Sequence, residues 1–191
     1  MGKRILILLG HPDPAPERLC RALAEAYADG ARGAGHEVRL IDIAKLDFPL
    51  LRTRDEFEKA APSAAIKQAQ DDMLWAQHLV IIYPLWLGTM PALLKGFLEQ
   101  VGRPGFAFET TGRGWKKLLK GRSARVVVTM GMPALAYRLY FGAHSLKSLE
   151  RNILGFIGIA PIRETLIGLV EMKGKGAASV ARLRALGTRA G

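Results

Sequence analysis

Three apolar runs constrain this chain more than any other feature: KRILILL (residues 3–9), HLVIIY (78–83) and ARVVVTM (124–130). A strand with one wet face alternates apolar and polar residues. A run that is apolar at nearly every position is buried on both faces, as in a parallel sheet covered by helices. The segments between the runs have helical spacing. Residues 17–33 place Leu19, Leu23, Ala26 and Tyr27 on one stripe, and Gly35 ends that helix. Further strands are predicted over 37–43 and 162–169, and further helices over 64–76, 91–101, 145–156 and 177–186. Pro91 sits at a first helical turn, where its missing N–H costs nothing. Residues 44–63, with Pro49 and Pro62, form a long connection, and residues 104–114 read as a loop. A connection of such length is uncommon unless it is functional.

The pattern βαβαβαβαβα predicts an α/β fold in one domain over residues 1–191: three layers around a doubly wound, five-stranded parallel sheet of flavodoxin-like order 2-1-3-4-5, joined by right-handed crossovers. Ligands of such sheets bind outside the carboxyl ends of the strands, at the switch point between strands 1 and 3. The turns after strands 1, 3 and 4 should therefore converge.

After strand 1 comes GHPDPAPER (10–18). It contains neither a G-x-G-x-x-G nor a Walker pattern, which disfavours a dinucleotide fingerprint and a P-loop. It does lead into a helix start, where free backbone N–H groups suit a phosphate, with Arg18 and His11 as further donors. Taken alone, it reads rather as a proline-stiffened turn with a solvated Arg18. After strand 3, Pro84, Leu85, Trp86 and Leu87 set an indole and two leucines on a turn that is ordinarily polar. That is a wall for something flat and apolar, or by itself a core cap or an oligomer contact. After strand 4 come Thr129, Met130, Gly131 and Met132, where Gly131 permits close backbone approach. Tyr137 and His144 follow. Seven residues apart, they share a side if the segment is helical, whereas Gly142 favours an irregular loop.

Composition narrows the classes. Residues 1–110 carry 13 Lys and Arg against 14 Asp and Glu, while residues 111–191 carry 15 against 3, so the net charge of +11 lies in the carboxyl-terminal part. A basic half suits phosphate-bearing ligands, an anionic membrane or nucleic acid, or serves solubility alone. Nucleic acid is not expected, because no aromatic–basic module or zinc spacing accompanies the charge. The sole cysteine, Cys20, excludes an internal disulfide and favours reducing surroundings. No run approaches the ~18 apolar residues of a membrane span. A cytoplasmic protein is the expectation.

GHPDP (10–14), PLWLGTMPALLKGF (84–97) with GFAF (105–108), and VVTMGMP (127–133) with the later Tyr137 and His144 resemble the flavodoxin-fold NAD(P)H:quinone oxidoreductase family. That family includes flavin reductases and the oxidoreductase-like ancillary subunits of potassium efflux systems. The resemblance spans about residues 3–170. It implies FMN, or alternatively FAD, with NAD(P)H as co-substrate and a quinone or similar flat molecule as acceptor. The flavin phosphate would be held by His11, Arg18, Leu19 and Cys20, and the ring by Pro84, Leu85, Trp86 and Leu87. Thr129, Met130, Gly131 and Met132 would border its pyrimidine edge, with Tyr137 and His144 stabilising negative charge on the reduced ring. The first loop carries Pro16-Glu17-Arg18 where the family has a Ser-Phe-Asn pattern, and strand 4 ends Thr-Met-Gly-Met rather than Thr-Thr-Gly-Gly. The implied reaction passes two electrons by hydride transfer from NAD(P)H through flavin to the acceptor, within a homodimer. Two other roles fit the same residues: a flavin-binding regulatory subunit touching a membrane transporter through the basic half, and a flavodoxin-type electron carrier.

Overall fold

The computed structural model describes residues 2–112 and 114–190. Five parallel strands form the central sheet: β1 (Arg4–Leu9), β2 (Glu37–Asp42), β3 (His78–Pro84), β6 (Ser123–Thr129) and β7 (Ile162–Ile167). Their order is β2-β1-β3-β6-β7, the expected arrangement once a small separate hairpin is counted. That hairpin, β4 (Phe108–Thr111) against β5 (Gly114–Lys117), corrects the loop expected over 104–114; Arg113 of that stretch lies outside the described residues. Its strands are four residues long and largely exposed, so no apolar alternation marks them.

Each central strand shows its two faces in its side chains. Ile5, Ile7, Leu9, Val80, Ile82 and Val127 pack under α1 (Leu19–Gly33) and, later in the chain, α8 (Lys175–Arg189). Leu6, Leu8, Leu79, Ile81, Val126 and Val128 face the opposite layer. That layer begins with α2 (Arg54–Glu58), α3 (Ala64–Trp75) and α4 (Ala92–Val101), and continues after β6 with α5 (Ala134–Leu139) and α6 (His144–Ser148). The helix predicted over 145–156 is α6 running into a π-helix (Leu149–Leu154) and a last turn, α7 (Gly155–Ile157). The closing helix, α8, is longer at both ends than expected.

Two glycines set the spacing between α1 and α8. A Cβ on Gly30 would lie 2.0 Å from the Arg184 carbonyl oxygen, and one on Gly187 would lie 2.2 Å from that of Tyr27. Only hydrogen fits at either place, so the helices cross with backbones nearly touching.

The long connection is held down from α4. Arg103, buried, donates to the Ala60 carbonyl at 2.6 Å and to the Gln100 side chain, and Gln100 donates to the Pro49 carbonyl. A buried guanidinium thus has neutral acceptors instead of a carboxylate, and it fixes both ends of a segment with little helix of its own. None of the described helices is long and apolar enough to cross a membrane.

Candidate functional site

The three loops meet at the carboxyl edge of the sheet. Gly10 follows β1 and donates to the Ile82 carbonyl at 2.7 Å; a Cβ there would strike the Leu94 side chain at 2.7 Å. Directly after it, the His11 ring lies edge-on to Trp86, with centroids 5.8 Å apart and planes at 81°. Leu85, just after β3, donates to the Thr129 carbonyl at the end of β6, at 2.8 Å. Cys20, in the first turn of α1, sets its sulfur 3.3 Å from the Thr129 hydroxyl. Loop 1 therefore touches the second loop, and the helix start behind it touches the end of β6, where the third begins.

Within loop 1 the polar groups order one another. The Asp13 N–H donates to His11 Nδ1 at 3.0 Å, and the Asp13 carboxylate accepts from the Ala15 N–H and from Arg18 Nε at 2.7 Å. Because His11 Nδ1 accepts, its proton sits on Nε2, and the neutral ring presents Nε2–H as a donor. Burial, ahead of the nearby charges, holds its pKa below the usual histidine value. The Asp13 carboxyl is held below its usual value first by the Ala15 N–H bond. Arg18 is thus braced by Asp13 rather than swinging free. Arg18 is also the N-cap of α1 and gives no side-chain cap. The first-turn N–H groups at Leu19 and Cys20 have no intrahelical acceptor by helix geometry. Cys20 contributes its backbone only: its side chain is buried, and burial raises the thiol pKa to about 11.

The second loop is a tight two-residue turn. Trp86 and Thr89 exchange both backbone hydrogen bonds at 2.9 Å. Leu87 and Gly88 between them both have positive φ, 47° and 78°, as a primed turn demands. Leu85 and Trp86 spend their N–H groups on this framework. Leu87 and Gly88 make no hydrogen bond among the described residues, so the donors left for a ligand are at the tip. Leu87 is fully exposed there and Trp86 is 47% exposed. A leucine in the left-handed region with no packing is strained, and such outliers gather at ligand sites.

In the third loop Met130 is buried. Its N–H donates to the Ile167 carbonyl at 2.9 Å and its carbonyl accepts from Val170. Gly131 stays exposed, and Met132 packs on the core. Beyond it, α5 stops at Leu139 and the chain breaks through Gly142 and Ala143, both with positive φ, before α6. Tyr137 and His144 are thus on two helices, not on one continuous face. Tyr137 is only 1% exposed, and its hydroxyl accepts from the Leu146 N–H at 3.2 Å. The hydroxyls of Tyr83 and Tyr137 both adjoin Ser145, and burial raises both phenols. His144 is exposed, its ring against Gly142. Ser145 also meets the Thr89 hydroxyl at 3.1 Å, which ties the Trp86 turn to α6.

One pair at this edge was not legible in the sequence. Arg21, in the first turn of α1, donates to Asp42 at the end of β2 at 2.7 Å, both side chains nearly buried. The rest of α1 and nearly all of β2 separate them, and neither sits in a motif. No group of described residues has the makings of a metal site.

Residues 3–188 match the Flavodoxin_2 family, described as a flavodoxin-like fold, and the chain belongs to that family. It is 27% identical over 171 residues to an uncharacterized NAD(P)H oxidoreductase of Haemophilus influenzae, covering 87% of this chain and 84% of the relative. It is 28% identical over 159 residues to an FMN-dependent NADH:quinone oxidoreductase of Nitratidesulfovibrio vulgaris, covering 76% and 75%. Among solved structures, the NAD(P)H:quinone oxidoreductase of Methanothermobacter marburgensis superposes with a TM-score of 0.83 at 21% identity, covering 99% of this chain and 97% of the other.

Proposed function

We propose that this protein is an FMN-dependent NAD(P)H:quinone oxidoreductase. The reading is supported by the names of its relatives, and above all by the meeting of a phosphate-type helix start with an exposed indole turn at one sheet edge. The residues fit the cofactor. The uncapped first turn of α1, with His11 Nε2–H and the braced Arg18, suits a phosphate. Trp86 and Leu87 offer an apolar surface to a flat ring, and the unpaired tip N–H groups of Leu87 and Gly88 would serve its polar edge.

When bound, FMN supplies the two-electron chemistry between NAD(P)H and a quinone or similar flat acceptor. The protein supplies position and electrostatics. Pro84 and Leu85 anchor the turn to β6 through Thr129, and the exposed Gly131 leaves room beside it. The Tyr137 hydroxyl lies just beneath this corner, accepting from the Leu146 N–H with Ser145 beside it, and in this reading that hydroxyl cluster stabilises negative charge at the site from behind. His144 stands at the same corner as a donor. The same reading carries a homodimer, to be tested by light scattering.

The test is spectroscopic and kinetic. Purified protein should bind FMN with flavin absorption bands and oxidise NADH or NADPH with a soluble quinone. Tyr137→Phe, which keeps the packing, should slow turnover on the order of 10- to 1,000-fold, from about 1.4–4 kcal/mol of lost stabilisation. A colourless protein that neither FMN nor FAD reconstitutes would end this reading.

A further inference from the structure

At the amino ends of the strands, on the edge opposite the candidate flavin site, lies a second cavity that the proposed function does not use. Its volume is about 340 Å³, and it is lined by Lys3, His78, Ser123, Pro161, Arg163 and Arg189 with two alanines. That volume is within the range of small-molecule sites. β1, β3 and β6 are six or seven residues long, so roughly 20 Å of sheet separates this cavity from the Trp86 turn.

The cavity is cationic. No carboxylate is among the residues that line it. Arg163 and Arg189 are exposed and make no hydrogen bond or ion pair among the described residues. Lys3 spends one ammonium proton on the Ala190 carbonyl, at 3.0 Å, and keeps two. Arg125 is the neighbour of Arg163 across β6 and β7, tied to the Thr165 hydroxyl at 2.6 Å. Like charges set side by side on two strands repel. Burial, then Lys3, Arg125, Arg163 and His36, hold the His78 pKa down at about 4, so cations dominate the field there. The carboxyl end of α8 borders the same cavity, but its partial charge of about −0.5 is small against three side-chain cations.

His78 supplies a second, independent observation. It lines the cavity while only 2% exposed, with Nδ1 2.8 Å from the Ser123 hydroxyl and Nε2 without a hydrogen-bond partner among the described residues. Buried nitrogens are seldom left unpaired. We propose that this cavity is a binding site for a small phosphate-bearing molecule. Arg163 and Arg189 take the phosphate oxygens, two of which match a guanidinium fork at once, and Lys3 adds a point charge. Ser123 donates to His78 Nδ1, so Nε2 keeps its proton and donates to the ligand. None of these residues belongs to the candidate flavin site, so the proposal stands apart from the flavin reading.

Calorimetric titration with pyrophosphate, with FMN in excess so that the first loop is filled, tests it. Wild type should bind, and more weakly as salt rises. Arg163→Gln with Arg189→Gln, which removes no hydrogen bond among the described residues, should weaken binding at least about tenfold. Lys173→Gln with Lys175→Gln takes the same two charges from the loop after β7 and the start of α8, and should change binding less than about twofold. Nitrogen-15 NMR of the imidazoles places the ligand. The His78 signals, identified by their absence in His78→Gln, should shift on titration, and those of His11 should not. Absence of binding would overturn the proposal. So would binding that survives the double arginine change, that falls equally in the lysine variant, or that leaves the His78 signals unmoved.

Discussion

The rings of His11 and Trp86 meet edge to face, with centroids 5.8 Å apart, although 74 residues of chain and a complete crossover separate them. Half of the indole surface is left open beside a neutral imidazole whose free N–H is fixed by its neighbour's backbone. Trp86→Ala should therefore leave the fold intact and weaken FMN binding about tenfold, the loss expected from roughly 1–1.5 kcal/mol of aromatic packing. Fluorescence titration of FMN with wild type and variant measures it. Equal affinities would place the ring elsewhere.

Leu87 adopts φ 47° with its side chain wholly in water. Asparagine tolerates that backbone and loses no buried surface there. Leu87→Asn should raise unfolding stability by about 1 kcal/mol, read from urea midpoints, while lowering flavin affinity. A variant that gains stability and keeps full affinity would separate the strain from ligand binding.

The α1–α8 crossing makes a sharper stability prediction. Gly187→Ala puts a methyl 2.2 Å from the Tyr27 carbonyl oxygen and 3.0 Å from the Ala31 nitrogen, both backbone. It should destabilise by about 3 kcal/mol or more, since neither helix can yield locally. Gly33→Ala is the matched control, with nothing within 4 Å of the new methyl; it should be neutral or stabilising by up to about 1 kcal/mol.

His78 predicts acid sensitivity. It is buried at the start of β3, with Nδ1 2.8 Å from the Ser123 hydroxyl, Nε2 without a hydrogen-bond partner among the described residues, and Lys3, Arg125 and Arg163 nearby. Burial, then these cations, lower its pKa from 6.5 to about 4. The unfolded chain takes up this proton near pH 6.5 and the folded chain only near pH 4. Stability is therefore full above 6.5 and falls as pH drops through that window, by about 3 kcal/mol in all. Denaturant unfolding at a series of pH values should show the slope in wild type and a shallower one in His78→Gln.

Cys20 should be inert in the native state. With its thiol buried and raised to about 11, alkylation near pH 8 should run at least about 100-fold slower than for a free cysteine. Mass spectrometry of protein treated with iodoacetamide, with and without denaturant, checks it.

The sheet was legible because each of its central strands is apolar on both faces, and only a parallel sheet between helix layers buries both faces of a strand. The order of strands, the meeting of three loops and the wall built on Trp86 follow from that pattern. The hairpin of β4 and β5 leaves no mark in the sequence because its exposed four-residue strands carry no burial signal. The split between α5 and α6 was hinted at by Gly142, but Tyr137 turning fully inward was not.

By itself, then, the sequence determined what must be buried, and with it the fold and the edge where the candidate site forms. Only the tertiary structure decided which polar groups there are still free. Asp13 takes up Arg18, Thr129 takes the N–H of Leu85, Asp42 takes Arg21, and the donors at Leu87 and Gly88 remain open. The physical reason is range. Burial is encoded residue by residue along the chain, whereas a hydrogen bond depends on where a partner many residues away comes to rest.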